Sequence, residues 1–216
     1  MIVVIDGPAG SGKSSTARAI AGQLQIQYLD SGALYRAATT IYIKANCDRD
    51  LFFERLKESN ISFIFKEGIF NVFVNGEDVT LRIREMEVSG KVSEVAAMPE
   101  VRAHVNDLMN EAVPTDVYIA DGRDLGTAVF PNADLKFFMV ADLETRAKRR
   151  LKEMDGDISL QDVMENLSSR DAQDSSREAD PLKKAEDAIE IDTGSYTFQE
   201  QVDHICGIIK PLIDQN

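Results

Sequence analysis

A glycine-rich segment near the N-terminus has the composition of a phosphate-binding loop. It begins at Gly7, reads G-x-x-x-x-G-K-S and ends at Ser14, with Lys13 as its cation. Glycines let the backbone turn around an anion without clashes from Cβ atoms, so that successive N–H groups face it. The lysine adds a full charge beside the outer phosphates, and the serine hydroxyl can ligate Mg²⁺. The segment follows an apolar strand pattern and precedes a helical one, which favours a phosphate loop over a chance glycine-rich turn.

Two further segments place arginines beside aspartates after predicted strands. The sequence DSGALYR ends at Arg36, where an arginine suits bidentate binding of a second phosphate. The sequence DGRD runs from Asp121 to Asp124, and an acid at the end of such a strand holds the Mg²⁺ shell in P-loop enzymes. We expect Arg123 and Asp124 to project towards the same crevice. The simpler alternatives are a solvated arginine at position 36 and structural capping by the two aspartates.

A polar segment, residues 153–181, carries a third group of charges. Arg170, Asp174 and Arg177 have the spacing i, i+4 and i+7, which places them on one face of a helix. One interpretation is a mobile lid over an active site, because few apolar residues are present to resist local opening. The other is a solvated helix with a ladder of ion pairs. The sequence LETRAKRRLK before it adds arginines that the pattern does not place.

The elements that must position these residues alternate between strand and helix patterns. This alternation predicts an α/β fold with a parallel sheet flanked by helices, in which ligands bind beyond the carboxyl ends of the strands. The predicted strands are residues 2–5, 26–29, 117–121, 135–140 and 188–191.

The middle of the chain departs from this alternation. Residues 61–65 and 69–74 alternate between apolar and polar in a β manner, and Asn75 and Gly76 form a strong hairpin signal. The pattern predicts a small antiparallel sheet inserted into the α/β fold. An amphipathic helix is expected after Pro99.

Composition narrows the classes of function. The formal net charge is −13, which argues against a general nucleic-acid or anionic-membrane binder, because those need a broad basic surface. Cys47 and Cys206 are too far apart to suggest a metal motif or a disulfide framework. The N-terminal residues resemble a strand rather than a signal peptide, and no run approaches the length of a membrane span. We therefore expect a cytoplasmic protein and a monomer.

The segments IDGPAGSGKSS, LDSGALYR, IADGRDLGTAVFP, RDAQDSSR and IDTG resemble the bacterial cytidylate kinases in order and spacing. The resemblance covers essentially the whole chain, and DSGALYR and ADGRDLGT are its specific motifs. It implies a five-stranded parallel sheet and transfer of the γ-phosphoryl group of ATP to CMP or dCMP. It also implies three regions: a P-loop core (1–30, 115–152 and 182–216), a CMP-binding domain (31–114, with a β insert at about 55–92) and a lid (153–181).

The same resemblance implies a role for each motif residue. The residues expected to bind ATP are Gly7, Pro8, Ala9, Gly10, Ser11, Gly12, Lys13, Ser14 and Ser15. Those expected around CMP are Ser31, Arg36 and Arg123 near the phosphate, Ser93, Arg102 and Asp124 near cytosine, and Arg170 and Asp174 near the sugar. Lys13, Arg123, Arg177 and Asp121 are the expected catalytic residues, and Arg177 is placed near the transferring phosphoryl group. Ser14 is the candidate Mg²⁺ ligand.

Two alternatives remain open from the residues themselves. A kinase for another small acceptor, such as AMP, UMP or shikimate, would share the phosphate loop. A P-loop switch or an ATP-dependent partner-binding protein without metabolic turnover would share it too, although the Asn-Lys-x-Asp guanine motif of GTPases does not occur in the sequence.

Overall fold

The computed structural model describes residues 1–113, 116–152 and 158–215. The chain divides into two compact units. The first unit is Met1–Tyr28 together with Thr115–Asn216, and the second unit is Leu29–Pro114.

The strands and helices are numbered in chain order. The strands are β1 (Ile2–Asp6), β2 (Gln27–Asp30), β3 (Ile61–Lys66), β4 (Ile69–Val74), β5 (Glu77–Asp78), β6 (Tyr118–Asp121), β7 (Leu135–Val140) and β8 (Ile189–Asp192). The helices are α1 (Lys13–Leu24), α2 (Ser31–Lys44), α3 (Arg49–Glu58), α4 (Met86–Ala96), α5 (Pro99–Ala112), α6 (Leu143–Leu151), α7 (Leu160–Ser176) and α8 (Phe198–Ile213).

A five-stranded sheet in the order β2-β6-β1-β7-β8 confirms the predicted α/β fold. Strand β1 lies at its centre and pairs in parallel with β6 on one side and β7 on the other. Its run of β-branched residues is buried because both faces and both edges are covered. The register places Ile5 opposite Asp121 and Phe137, so the carboxyl ends of the three central strands lie level with one another.

Helix α1 packs against the C-terminal helix α8. The buried face of α1 carries Ala17 and Ile20, and that of α8 carries Val202 and Ile205. Cys206 is a buried free thiol on the same helix, as its place in the apolar stripe of α8 predicts. This packing fixes the axis of α1, whose first turn follows the phosphate loop.

Helix α7 lies within the segment predicted as a lid, of which residues 153–157 fall outside the described part of the chain. It packs on α6, and a buried apolar cluster joins Val163 and Leu167 of α7 to Ala147 of α6 and Ala9 of the phosphate loop. The segment thus has more apolar contacts than its polar sequence suggests, because its few apolar residues share one helix face.

The second unit combines α2–α5 with the antiparallel sheet β3-β4-β5, which confirms the predicted small sheet. Asn75 and Gly76 turn between β4 and β5 with φ angles of 53° and 81°, both left-handed as a type I′ hairpin needs. The strands run from Ile61 to Asp78, since residues 55–58 belong to α3 and residues 86–92 to α4. None of the helices in the described ranges is both long and apolar enough to cross a bilayer.

The turn from β1 into the phosphate loop leaves no room for a side chain at Gly7. Its φ angle is 146°, and a Cβ atom added there would lie 2.2 Å from the carbonyl oxygen of Met139 on β7. We predict that Gly7→Ala lowers the apparent melting temperature by at least about 5 °C, because backbone must shift to relieve the clash.

The matched control is Gly22→Ala on α1, where an added Cβ atom meets nothing within 4 Å. Alanine is favoured over glycine in a helix by up to about 1 kcal/mol, so this variant should melt about 3 °C higher than the parent. Scanning calorimetry of both variants would measure the difference, and equal melting temperatures would contradict the tight approach of Gly7 to β7.

Candidate active site

The phosphate loop connects the carboxyl end of β1 to the first turn of α1. Gly10 and Gly12 adopt left-handed φ angles of 74° and 93°, which explains why glycine stands at both positions. Gly12 is the N-cap of α1 and makes no side-chain cap hydrogen bond. The first-turn N–H groups of a helix without a side-chain cap are available to an anion, and the helix dipole favours negative charge there.

Lys13 is buried and folds back over the loop. Its Nζ donates to the carbonyl oxygen of Pro8 at 2.7 Å and lies 3.4 Å from Oγ of Ser11. Burial lowers the pKa of Lys13 well below its usual value, and repulsion from Arg123 lowers it further, while the carboxylate of Asp121 acts in the opposite direction. A buried cation held by a neutral carbonyl is electrostatically suited to a phosphate.

Asp121 ends β6 and accepts two short hydrogen bonds. Ser14 Oγ donates to Oδ2 of Asp121 at 2.7 Å, and the hydroxyl of Tyr28 donates to Oδ1 at 2.7 Å. The hydroxyl of Ser14 and the carboxylate of Asp121 therefore form a pair of hard oxygen ligands beside the phosphate loop, of the kind Mg²⁺ takes. In the described part of the chain, no group of three or more His, Cys, Asp or Glu residues could hold a metal ion by itself.

Asp6, the last residue of β1, is a site residue that the sequence motifs did not single out. Its carboxylate is buried and accepts from the N–H of Leu125 at 3.0 Å and the N–H of Gly126 at 2.7 Å. It thereby fixes the backbone that follows Asp124. Burial raises the pKa of Asp6 to about 6, against the lowering effect of the two backbone hydrogen bonds.

The DGRD segment and α7 are joined by ion pairs, which brings together the predicted residues of both. Arg123 Nε donates to Oδ2 of Asp174 at 2.9 Å. Arg177 Nη2 donates to Oδ1 of Asp124 at 2.5 Å, and its Nη1 lies 3.9 Å from Oδ1 of Asp174. One cluster of the first unit therefore holds five predicted residues of two separate motifs. They are Arg123 and Asp124 of the DGRD segment, and Arg170, Asp174 and Arg177 of the α7 segment.

Arg170 is the member of this cluster with an unsatisfied donor. Its Nε is buried and has no hydrogen-bond partner in the described structure. Burial lowers the pKa of Arg170, and the nearby Arg123 lowers it further, while Asp174 opposes them. A buried N–H without an acceptor costs free energy, so an oxygen atom of a ligand would be favoured there.

Two arginines of the LETRAKRRLK segment, which sequence reasoning left unplaced, contact the loop or its support. Arg146 Nη1 donates to the carbonyl oxygen of Ala9 at 2.8 Å. Arg149 donates through Nη1 and Nη2 to the hydroxyl and carbonyl oxygens of Thr193, both at 2.8 Å. The Thr193 hydroxyl in turn donates to the carbonyl oxygen of Ser11 at 3.2 Å. The signal in the sequence was the local density of arginines in an acidic chain.

The second unit holds the other predicted residues, on helices that pack together. Ser31 is buried at the start of α2, whose N-cap Asp30 accepts from the N–H of Ala33 at 2.8 Å. Arg36, one turn later, donates through Nη1 to Oγ of Ser89 on α4 at 2.8 Å. Ser93 is half-buried one turn further along the same helix.

Arg102 is buried on α5, and its side chain faces α2. Its guanidinium carbon lies 5.6 Å from the centre of the Tyr35 ring, and Nη1 donates to the carbonyl oxygen of Ala96 at 3.3 Å. The hydroxyl of Tyr35 in turn donates to Oδ1 of Asn106 at 3.3 Å. Tyr35 and Ser89 are contacts of the predicted residues Arg102 and Arg36 that the sequence did not single out, and Asn106 supports Tyr35.

The parallel sheet carries a glycine-rich phosphate loop with a buried lysine, and an arginine cluster lies in the same unit, which is the architecture of a P-loop protein. Two solved structures share the fold, each with a TM-score of 0.52 and 12% sequence identity. They are a gluconokinase from Sinorhizobium meliloti, over 99% of this chain and 93% of that one, and a shikimate kinase from Bacteroides thetaiotaomicron, over 99% and 98%.

The chain belongs to the cytidylate kinase family. The family model described as cytidylate kinase matches residues 3–211. A cytidylate kinase from Cytophaga hutchinsonii is 43% identical over 216 residues, 96% of this chain and 92% of that protein. One from Clostridium botulinum is 42% identical over 214 residues, 96% of this chain and 97% of that protein.

The raised pKa of Asp6 generates a prediction about stability. Between pH 4 and pH 6 the folded chain keeps a proton on Asp6 that the unfolded chain has released, since the pKa rises from 3.8 to about 6. This group's contribution to the free energy of unfolding therefore falls as pH rises through that window, by up to about 3 kcal/mol. Asp6→Asn cannot ionise and should lack this slope.

Urea denaturation at a series of pH values from 4 to 8 would measure the difference between the parent and Asp6→Asn. At low pH the free energy of unfolding of the parent should exceed that of Asp6→Asn by the largest gap, because the protonated carboxyl is then buried without a charge. The gap should narrow towards pH 7. A gap that stays constant over this range would show that Asp6 does not titrate there.

Proposed function

We propose that this chain transfers the γ-phosphoryl group of ATP to CMP or dCMP, giving CDP or dCDP and ADP. The observation that carries the proposal is the cluster of Arg123, Arg170 and Arg177 in the same unit as the phosphate loop. A protein that only binds or hydrolyses a nucleoside triphosphate needs the loop. A cluster of arginines drawn from two separate segments, ADGRDLGT and RDAQDSSR, suits a second anionic substrate.

The phosphate loop supplies the site for ATP. The N–H groups of the loop and the first turn of α1 face its phosphates, and the Lys13 ammonium neutralises the outer ones. Ser14 and Asp121 would hold Mg²⁺, whose role is to neutralise charge that develops on the phosphate oxygens. Residues 7–15 are proposed to contact ATP as the family resemblance implies.

The chemistry required of the protein is alignment and charge, since phosphoryl transfer needs little covalent help. The attacking group is a phosphate oxygen of CMP, which is already anionic, so no general base is needed. Arg123 and Arg177 are now held by Asp174 and Asp124 and can exchange these carboxylates for phosphate oxygens. We propose Arg177 as the arginine that meets the transferring group.

CMP is proposed to be recognised by residues of the DGRD segment, of α7 and of the second unit. Ser31 and Arg36 would bind near its phosphate, Arg170 and Asp174 near its sugar, and Ser93, Arg102 and Asp124 near cytosine. A carboxylate can accept from the cytosine amino group, and an arginine can donate to its ring nitrogen and carbonyl oxygen. Uracil would set a carbonyl oxygen against the carboxylate and an N–H against the arginine.

The domain roles follow from this assignment. We propose the second unit as the CMP-binding domain, residues 153–181 as the lid, and the remainder of the first unit as the P-loop core. The α7 helix would carry Arg170, Asp174 and Arg177 of the lid. Exclusion of water is the physical need that such a lid serves, because water would otherwise hydrolyse ATP.

A panel of acceptors tests the reaction. With ATP and Mg²⁺, we predict rapid ADP release with CMP and dCMP, weak release with UMP and none with AMP or shikimate. Sites built on buried polar pairing discriminate by about 10⁴-fold, whereas an apolar pocket rarely exceeds about 10²-fold. A coupled ADP assay measures the rates.

Each outcome of that panel has a distinct meaning. UMP turned over as fast as CMP would overturn the assignment of the base contacts. AMP as the preferred acceptor would replace the proposed substrate. ADP release that is independent of any acceptor would favour an ATPase or a switch.

Lys13 offers a second prediction. Lys13→Ala should lose at least about 10²-fold in turnover, because a preorganised charge at the reacting phosphates is missing. The same variant should still fold with a cooperative thermal transition, since the turn of the loop is set by its glycines and by the contacts of Ala9 rather than by Lys13. Steady-state kinetics and thermal denaturation on one preparation measure both, and retained turnover would contradict the placing of ATP in this loop.

A further inference from the structure

The main chain at Ala9 in the phosphate loop, called the Ala9 peptide below, is held through both of its flanking peptide groups by a single ion pair. The N–H of Ala9 donates to Oδ1 of Asp171 on α7 at 3.0 Å, and the carbonyl oxygen of Ala9 accepts from Nη1 of Arg146 on α6 at 2.8 Å. The same Nη1 lies 2.5 Å from Oδ2 of Asp171. These contacts among Ala9, Arg146 and Asp171 are called the Ala9 clamp below.

The clamp is a rigid arrangement rather than a surface ion pair. The Arg146 side chain is 9% exposed and that of Asp171 is 20% exposed. Arg146 Nε also donates to the carbonyl oxygen of Ala141, just before α6, at 3.0 Å. The planar guanidinium is therefore fixed at two places, and its remaining N–H groups point in defined directions.

Packing around the clamp leaves the loop little freedom to move without α6 and α7. A Cβ atom added at Gly10 would lie 3.3 Å from Cβ of Arg146 and 3.7 Å from Cδ1 of Leu167. Ala9 itself belongs to the apolar cluster with Val163 and Leu167. A loss of the clamp hydrogen bonds would thus release the Ala9 peptide while the apolar contacts remained.

Neither clamp residue has a role in the family motifs described above. Asp171 stands between Arg170 and Asp174, which are proposed to bind the sugar, but its carboxylate is turned to the loop. An orientation change of the Ala9 peptide would alter the direction of the next N–H groups, on which the phosphates depend.

We propose that Asp171 and Arg146 are positioning residues that hold the Ala9 peptide in the orientation in which the phosphate loop binds ATP. The proposal rests on the function of this loop as the ATP site. It has a reciprocal consequence, because binding free energies are linked: ATP must stabilise the docking of α7 as much as docked α7 strengthens ATP binding.

The test compares Asp171→Asn and Asp171→Ala with the parent. Isothermal titration calorimetry with Mg²⁺ and a non-hydrolysable ATP analogue should give a Kd raised about tenfold in Asp171→Ala, as a lost charge-assisted hydrogen bond predicts. Asp171→Asn keeps the shape of the side chain and one acceptor oxygen, so its Kd should rise less. Where Asp171→Ala fails to fold, Asp171→Asn alone carries the test, with a rise of at least about threefold.

Val163→Ala is the matched control. It weakens the packing of the same helix on the same cluster but leaves every clamp hydrogen bond in place. Its melting temperature should fall, and its Kd for the analogue should stay within about twofold of the parent. If Val163→Ala weakens binding as much as Asp171→Ala does, the clamp acts only by stabilising α7, and the proposal is wrong.

Arg146→Lys tests whether the two residues act together. Lysine keeps the charge but cannot reach Ala9, Asp171 and Ala141 at once. The Kd of the double variant Arg146→Lys/Asp171→Asn should be at most about twofold above that of the weaker-binding single variant. Each single change already breaks the same clamp, so the second change has little left to remove. A rise in Kd for the double variant that equals the product of the two single rises would contradict the proposal.

Hydrogen exchange of α7 supplies the reciprocal readout. The analogue should slow exchange in residues 160–176 of the parent and of Val163→Ala, and should do so much less in Asp171→Asn. Equal slowing in Asp171→Asn would contradict the coupling.

These measurements need no acceptor nucleotide. A parent that binds the analogue but phosphorylates neither CMP nor dCMP would reject the proposed reaction and still decide the clamp. A parent that does not bind the analogue would reject both.

Discussion

The burial of the Lys13 ammonium is the constraint on which the rest of the first unit depends. A cation removed from water costs several kcal/mol unless anions lie near it. The carboxylates that favour its charged form are Asp121 at the end of β6, Asp6 at the end of β1 and Asp174 on α7. The parallel register brings the first two level with the loop, and the docking of α7 brings the third. The positions of three elements are thus coupled to one charge.

The cost of burying charge also explains why two arginines of the cluster are paired with carboxylates. Arg123 and Arg177, the arginines proposed to bind phosphate, have their charge balanced by Asp174 and Asp124. Phosphate binding then exchanges one acceptor for another instead of creating new pairs. The net gain in affinity is smaller, but a neutral ligand gains nothing from the exchange, so the arrangement favours anionic substrates.

The sequence allowed prediction of features that depend on local chemistry. The phosphate loop was predictable because its glycines, lysine and serine stand at fixed spacing between a strand and a helix. The hairpin at Asn75 and Gly76 was predictable because both residue types readily adopt the left-handed φ angles of a tight turn. The turn between β3 and β4 was not predicted, although Glu67 and Gly68 there have left-handed φ angles of 55° and 76°. Glutamate has no special preference for that conformation, so the pair carries a weaker signal than Asn-Gly.

Features that depend on contacts between distant segments could not be predicted in this way. Asp6 acts through hydrogen bonds to backbone N–H groups about 120 residues away, and no motif records an acceptor for a main-chain donor. Arg146 is similar, since three arginines within five residues look alike until the packing of α6 decides which one turns to the loop.

Helix α7 carries two carboxylates that reach different parts of the first unit because the packing of the helix fixes their directions. Asp171 and Asp174 are three residues apart and therefore differ by about 60° around the helix axis. One carboxylate reaches the phosphate loop, and the other reaches Arg123. Leu167, one turn before Asp171, lies on the same side and contributes to the apolar cluster. A rigid helix anchored by Val163 and Leu167 can thus contact the loop and the arginine cluster together, which a flexible polar segment could do only at a large cost in conformational entropy.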